Sequence, residues 1–543
     1  MDDLGIKSKL SRKTITLHCI LLFIFSMLLF LTFNYDIEII KIDVRWALFV
    51  RYMFIDGINY FPTLFNHPYP DYPVIFTLLS YWIASFLHTI NMFAITFPTS
   101  IMAAVTVVFT YLIGLFHSRK QALYAVLILL FSVKFFECAR TPNPDFFVAA
   151  FTTIAFYFTY KSILNKSKTY LWIVPICFII GFSFRGPIGL VIPAGVVCLT
   201  FLFSKRIKSF FVMGISAAVL LIIGVLGTYF MAYLQAGPEF AKVVTFSQSL
   251  GRFGDTDPIY YYFLASFGSY AISYPVAILT IIFLYKKFIG KYEINNEFHM
   301  LKYLFIWFIV IFIGLSIPGS KQDRYLLSSI PALALIASFF FNAKYITNRI
   351  HQLIVNFLNF LLFYMTIILF VALWIGYAVV SIAKIKIDYP ILIPGVSLIV
   401  LSILAYTIVG VLKLRSNQLM KLLIGMLSFF ILSVTFLQPL NLQHESSIKF
   451  VNAVQKIRTS NRPIVFFRLG PDGDDLKYLV NIKKMFVPIC LNTPKNIAKY
   501  KKPYILIIKS SKFTQIPKDI RDRIKILIKG KLGHVDCVAA ELD

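Results

Sequence analysis

The sequence predicts a polytopic α-helical membrane protein with about 13 transmembrane helices, interfacial helices in the first outer loop and a small C-terminal α/β domain. Three observations predict it. Of 543 residues, 58% are hydrophobic and only 14% charged, whereas soluble domains carry about 25% charged residues. Apolar runs of roughly 20 residues, the length that crosses a bilayer, recur along most of the chain. Past residue 439 those runs stop, and short apolar segments alternate with polar helical ones.

The first element is a basic stretch, "MDDLGIKSKLSRK", leading into "TITLHCILLFIFSMLLFLTF". A signal peptide has the same order of parts, but this apolar run is long and no small-residue cleavage site follows, so it reads as an uncleaved first span. Spans are expected at 14–33, 94–116, 121–138, 146–164, 169–184, 187–204, 210–234, 260–285, 300–317, 325–343, 356–381, 389–411 and 419–437, with 73–88 an interfacial helix. A cytoplasmic N-terminus makes every inner loop basic: Arg119 and Lys120, then Lys161, Lys166 and Lys168, Lys205 and Arg206, Lys286 and Lys287, Lys344 and Arg349, Lys413 and Arg415. This is the pattern of the positive-inside rule. An odd number of spans then puts residues 440–543 outside, as a domain separate from the transmembrane part, 1–439. There "RPIVFFRL", "KMFVPICL" and "PYILIIKS" read as strands, and "SSIKFVNAVQKI", "DDLKYLVNI" and "KDIRDRIKILIK" as helices. Of six cysteines, only Cys490 and Cys537 lie in this region, where pairing requires an oxidising compartment. The net charge of +28 is spread over many short loops, which excludes a nucleic-acid stripe.

The outer segments hold charges that the positive-inside rule does not explain. In the loop 34–93, "DIEIIKIDVRWALFVRYMFIDG" brings Asp43 and Arg45, and from Asp43 onward reads as an amphipathic helix at the membrane surface. Prolines on both sides of Asp71 in "NHPYPDYPVIF" impose an irregular backbone, the kind that lines a cavity at membrane depth. "ECARTPNPDFF" places Arg140 and Asp145 around a Pro-Asn-Pro turn, with helix capping by Asp145 as the plain alternative. Arg185 in "GFSFRGPIGL" would otherwise snorkel to headgroups. "GSKQDRY" adds Lys321, Arg324 and Tyr325, with Asp323 serving to hold one of its cationic neighbours. Arg45, Arg140, Arg185, Lys321 and Arg324 would together suit a phosphate at the membrane surface. Arg252 and Asp257 precede three tyrosines, a combination that serves either an aromatic belt or a sugar site.

These segments in this order resemble the C-type superfamily of membrane glycosyltransferases, which use polyprenyl-phosphate sugars. The chain is most similar there to the bacterial family that transfers aminoarabinose to lipid A, related to protein mannosyltransferases. The resemblance runs over most of 14–345 and rests on "IDVRWALFVRYM", "YPDYPVIFTLLSYW", "ARTPNPDFFVAAF", "RGPIGLVIP" and "GSKQDRYLLSSIPAL". It implies catalytic carboxylates at Asp43 and Asp145. It implies donor-phosphate contacts at Arg45, Arg185, Lys321 and Tyr325 and substrate contacts at Asp71, Tyr72 and Asp257; the charge pattern of the outer segments adds Arg140 and Arg324 to the first set and Arg252 to the second. The sequence departs from the family where Ile42 replaces the first acid of a pair and where a lysine is lost beside Asp71. A divalent metal would fall to Asp71 and Asp257, without the family's histidine; no other cofactor is implied. The implied donor is a polyprenyl (undecaprenyl) phosphate sugar, and the acceptor lipid A or a related envelope glycolipid, at the periplasmic face of the bacterial inner membrane. A monomer is expected. Transfer to protein or another envelope glycan is the alternative. A transporter of lipid-linked precursors would need two related halves with matching broken helices, and no such repeat is seen.

Overall fold

The computed structural model describes residues 11–35, 37–41, 43–65, 67–71, 73–248, 251, 257–289, 298–342, 348–358, 360–361, 364, 375, 418–458, 462–469, 474–483, 486–499 and 504–542. The expected spans at 356–381 and 389–411 fall largely outside these residues. Helix α1 (Arg12–Leu31) starts at Ser11, whose hydroxyl accepts from the Thr14 amide at 3.1 Å and so satisfies one of the unpaired N–H groups of the first turn. It packs on α4 (Met92–Leu115), whose buried Ala103, Ala104 and Val107 keep that helix face small. Helices α5 (Arg119–Leu130) and α6 (Val133–Ala139) form a pair bent by 70°, and α11 (Tyr261–Ser269) and α12 (Ser273–Ile289) one bent by 115°. The two breaks meet, with the hydroxyls of Ser132 and Ser273 2.7 Å apart.

Helices α7 (Asp145–Leu164), α8 (Ile173–Arg185) and α9 (Pro187–Phe203) pack closely on one another. Gly181 and Gly189 make the α8–α9 contact: a Cβ on Gly181 would stand 2.2 Å from the Gly189 carbonyl oxygen. Helix α10 (Ile207–Gln248) breaks at Ala236 and Gly237, and α13 (His299–Ser316) leads through a 3₁₀ turn (Asp323–Ser329) into α14 (Ile330–Ser338). Among the described residues five helices are long and apolar enough to cross a membrane, and seven if each bent pair is one span. The difference from the expected count lies partly in the undescribed residues. It lies partly in α8 and α9, which are apolar but only 13 and 17 residues long.

Beyond the helix Gln438–Glu445 the chain builds a five-stranded sheet in the order β4-β3-β5-β7-β6, the short hairpin strands Thr63–Leu64 and His67–Pro68 being β1 and β2. Strands β3 (Ile464–Phe467), β4 (Ile489–Leu491) and β5 (Ile505–Lys509) run parallel, and β6 (Ile524–Leu532) and β7 (Val535–Leu542) close one edge antiparallel. The all-apolar β3 is buried on both faces, as a central parallel strand requires. "KDIRDRIKILIK" is a helix only over Lys518–Arg521; from Ile524 it is strand β6, because its closely spaced β-branched isoleucines suit a pleat better than a helix. The Cys490–Cys537 pairing is closed off by this topology. Their strands β4 and β7 are separated by β3 and β5, about 14 Å at the usual spacing, and a disulfide needs Cα atoms within about 7 Å.

Helix α2 (Asp43–Asp56), expected at the membrane surface, is buried over most of its length. Val44, Trp46, Leu48, Phe49 and Tyr52 are buried in one cluster with Phe450, Val451, Leu476 and Leu479 of the C-terminal domain. The other face, at Ala47 and Val50, packs with Ala84, Met92 and Ile95. The helix is therefore covered on both sides, by the membrane part and by the sheet domain.

Candidate active site

Asp145 is set by the Pro-Asn-Pro turn before α7. The Asn143 side chain accepts from the Asp145 amide at 3.0 Å, and the Asn143 amide donates to the Thr99 hydroxyl of α4 at 2.9 Å. The turn is thus pinned to a neighbouring helix. Asp145 makes no capping bond of its own; its carboxylate points at two arginines. Arg185 donates from Nε to Oδ1 at 2.5 Å, and Arg324 Nε lies 3.6 Å from Oδ2. Oδ2 accepts no hydrogen bond among the described residues. Arg185 is only 4% exposed, so it does not snorkel. Gly186 follows it with φ 64°, a left-handed backbone that glycine adopts without strain, and this turns the chain from α8 into α9. Removing one partner of a pair this buried costs about 3–5 kcal/mol. The ring of Tyr325 lies within reach of both guanidinium groups, 5.5 Å from that of Arg185 and 5.9 Å from that of Arg324.

Asp43 opens the first turn of α2 and is 6% exposed. It lines a cavity of about 430 Å³ together with Glu38, Lys41, Glu137, Arg140 and apolar residues such as Phe136 and Phe429. Burial pushes its carboxyl up to about 7; the negative charge of Glu137 adds to the rise, while Arg324 and Lys41 oppose it. Arg324 thus acts on both carboxylates, in direct contact with Asp145 and through its field on Asp43.

The remaining expected residues divide by what holds them. Arg45 donates to the Tyr69 hydroxyl at 2.7 Å, which donates to Asp71 at 3.1 Å. Lys321 gives its ammonium to the carbonyls of Asp257 and Pro318 at 2.9 and 2.7 Å, and its amide to the Asp257 carboxylate at 3.2 Å. Asp257, itself exposed, thus also ties down the backbone of the island. Asp323 does not hold a cation either: it accepts from Tyr261 at 2.9 Å and from Ser269. Arg140 departs furthest from its expected phosphate role. Its two terminal nitrogens are saturated by the carbonyls of Leu29, Phe30 and Thr32 and the side chains of Asn34 and Gln438. It fastens the end of α1, where helix carbonyls lack partners. Tyr72 and Arg252 lie outside the described residues. For the expected metal, no three His, Cys, Asp or Glu side chains gather as ligands among the described residues, and Asp71 and Asp257 each have other partners. Among the described residues the expected pair therefore has no third ligand gathered beside it.

Residues 68–228 match the family model described as dolichyl-phosphate-mannose-protein mannosyltransferase. Two solved structures of ArnT from Cupriavidus metallidurans, one bound to undecaprenyl phosphate and one in the apo state, superpose with a TM-score of 0.67 each. Sequence identity is 13% in both; the first covers 97% of this chain and 98% of that one, the second 96% and 97%. The chain has the ArnT-like C-type glycosyltransferase fold. Two uncharacterized proteins of Aquifex aeolicus are 27% and 24% identical, each over 49% of this chain. The matches span 53% and 60% of those relatives, little more than half their length.

Within this glycosyltransferase fold two carboxylates join the cavity that sequence reasoning passed over. Glu137 comes from α6, beside Lys134 at 3.1 Å, and faces Asp43 across the cavity. A signal existed in its place eight residues before Asp145, but the 70° bend that swings α6 inward has no sequence mark. Glu38 lies in the approach to Asp43 and bonds with the C-terminal domain, a contact between residues more than 400 positions apart.

Proposed function

We propose that the protein transfers a sugar, an amino sugar by preference, from a polyprenyl-phosphate donor to lipid A or a related envelope glycolipid at the outer face of the membrane. The observation that carries this reading is the Asp145–Arg185–Arg324 cluster with Tyr325, set near a cavity that holds Asp43. In such a transfer the acceptor oxygen bonds to the anomeric carbon as the carbon–phosphate oxygen bond breaks, and that electron pair leaves on the polyprenyl phosphate. Arg185 and Arg324 supply fixed positive charge for the departing phosphate, which costs no reorganisation at the moment of reaction. Asp145 holds both guanidinium groups in place. Asp43, with a carboxyl near 7, is poised to take the proton of a hydroxyl acceptor; a phosphate acceptor, already ionised, needs no such base. No step calls on a metal.

The test is mass spectrometry of lipid A from cells with and without the protein, in which an added amino-sugar mass supports the reading and an unchanged spectrum refutes it. Asp43→Asn should lower transfer by roughly 10²–10⁴ if the acceptor is a hydroxyl; full activity would remove Asp43 from the chemistry. Transfer to protein is a second reading, favoured by the description of the family matched over 68–228. Modified protein in place of modified lipid would identify it.

A further inference from the structure

The C-terminal domain meets α2 and the segment leading into it in three ways. The Glu38 carboxylate accepts from the amides of Ser447 (2.8 Å) and Ile448 (3.2 Å), the first turn of the helix Ile448–Ile457, and from the Ser446 hydroxyl. It caps a helix from a distant part of the chain, and its charge suits that helix's positive end. A fourth donor, Asn481, reaches it at 3.4 Å from just beyond the helix Asp474–Leu479. Further along α2, Arg51 donates to the carbonyls of Leu479 (3.4 Å) and Lys483. Between these two polar ties run the buried Trp46 and Phe49, with Tyr52 just past Arg51, in the same cluster as Phe450, Val454 and Leu479.

Asp43 sits between the ties, and Glu38 and Asp43 line the same cavity. The segment joining them is short: the Asp43 amide bonds to the Ile40 carbonyl at 3.2 Å. Movement of Glu38 by an ångström is therefore carried to Asp43 with little slack, and placement errors of that size can cost about 10²-fold in rate. We propose that the C-terminal domain is part of the active-site scaffold, with Glu38 a positioning residue that ties the start of α2 to it and thereby holds Asp43 in the cavity. This deepens the transferase reading and rests on it for the kinetic part of the test only. Four charged side chains besides Glu38 face Asp43 or share its cavity: Lys41 from its own loop, Glu137 from α6, Arg140 following α6, and Arg324 from the 3₁₀ turn.

The experiment uses the full chain in nanodiscs, with Glu38→Ala, Glu38→Gln and, should Glu38→Ala fail to fold, Asn481→Ala, which removes one tie from the opposite side. Two quantities are read. Backbone hydrogen exchange over 43–52 does not depend on activity: the scaffold predicts at least tenfold faster exchange there in Glu38→Ala and a smaller rise in Glu38→Gln, which retains an acceptor oxygen. Transfer from undecaprenyl-phosphate aminoarabinose should lose roughly tenfold or more in kcat with the donor KM within about twofold. The midpoint of its pH profile should move down as water reaches Asp43. Unchanged exchange over 43–52 overturns the proposal, whatever the activity. Loss of transfer without faster exchange also overturns it, because Glu38 would then act in the chemistry. If the wild-type chain transfers no sugar from this donor, the transferase reading fails, and the exchange result alone decides the scaffold.

Discussion

Asp43 and Glu137 form the most informative pair at the scale of single residues. Asp43 is raised to about 7 first by burial and then by the charge of Glu137. If the ionised form accepts a proton from the acceptor, activity rises with pH through that midpoint. Glu137→Gln removes a repelling charge, so the midpoint should move to lower pH; a midpoint that stays in place or rises would separate the two carboxylates. Stability carries the opposite sign. The folded state holds the Asp43 proton more tightly than the unfolded chain, so that contribution is full below about pH 4 and lost as pH rises through about 7. Asp43, Asp145, Arg185, Arg324 and Tyr325 were legible in the sequence as charges and aromatics in segments between apolar runs. Glu38 and Glu137 were not, because their importance comes from residues hundreds of positions away, or from a bend with no Pro or Gly to announce it.

Between elements, the α8–α9 turn decides where Arg185 points. A Cβ on Gly189 would stand 2.0 Å from the Gly181 carbonyl oxygen and 3.2 Å from the Arg185 Cβ. Backbone on one side leaves it nowhere to go, so Gly189→Ala must push the helices apart and carry Arg185 off Asp145. The expected outcome is a fall in the unfolding midpoint in detergent, of the order of 2–4 °C per kcal/mol lost, with transfer reduced beyond what the lower folded fraction explains. Wild-type stability in this variant would mean the two helices are less tightly joined than the contact implies. The sequence placed both helices correctly because their apolar runs are long. It could not tell that they would be too short to cross alone, since hydropathy measures composition and helix length depends on the Arg185–Gly186 turn. Strand β6 shows the reverse failure: charges at Lys518, Asp519 and Arg521 mimic a helix pattern that ends where the isoleucines begin.

For the whole molecule, the α/β character of residues beyond 439 was legible from alternating segments, but its place in the architecture was not. Pattern reasoning treats an outer domain as an appendage, because no local signal says that Phe450 and Leu479 will complete a core begun by Val44 and Trp46. The sheet order also makes a covalent prediction. Cys490 and Cys537 lie three strands apart, so both thiols should alkylate after denaturation without reductant, and the intact mass should not change on adding reductant. A mass two daltons lower in the absence of reductant would contradict the topology.

The double cover of α2 also sets an order of events during synthesis. Tyr52 leaves the ribosome about four hundred residues before its partner Phe450, and at 5–20 residues per second that is a delay of roughly 20–80 s. Through that interval Trp46, Phe49 and Tyr52 have no sheet domain to pack against, and the lipid surface beside the growing helices is the apolar medium at hand. Until the residues beyond 439 arrive, the helix that begins with Asp43 has one face on the membrane part, at Ala84, Met92 and Ile95, and the other without its sheet-domain cover. The packing around the helix that carries Asp43 is thus completed late, although Asp43 is among the first residues made.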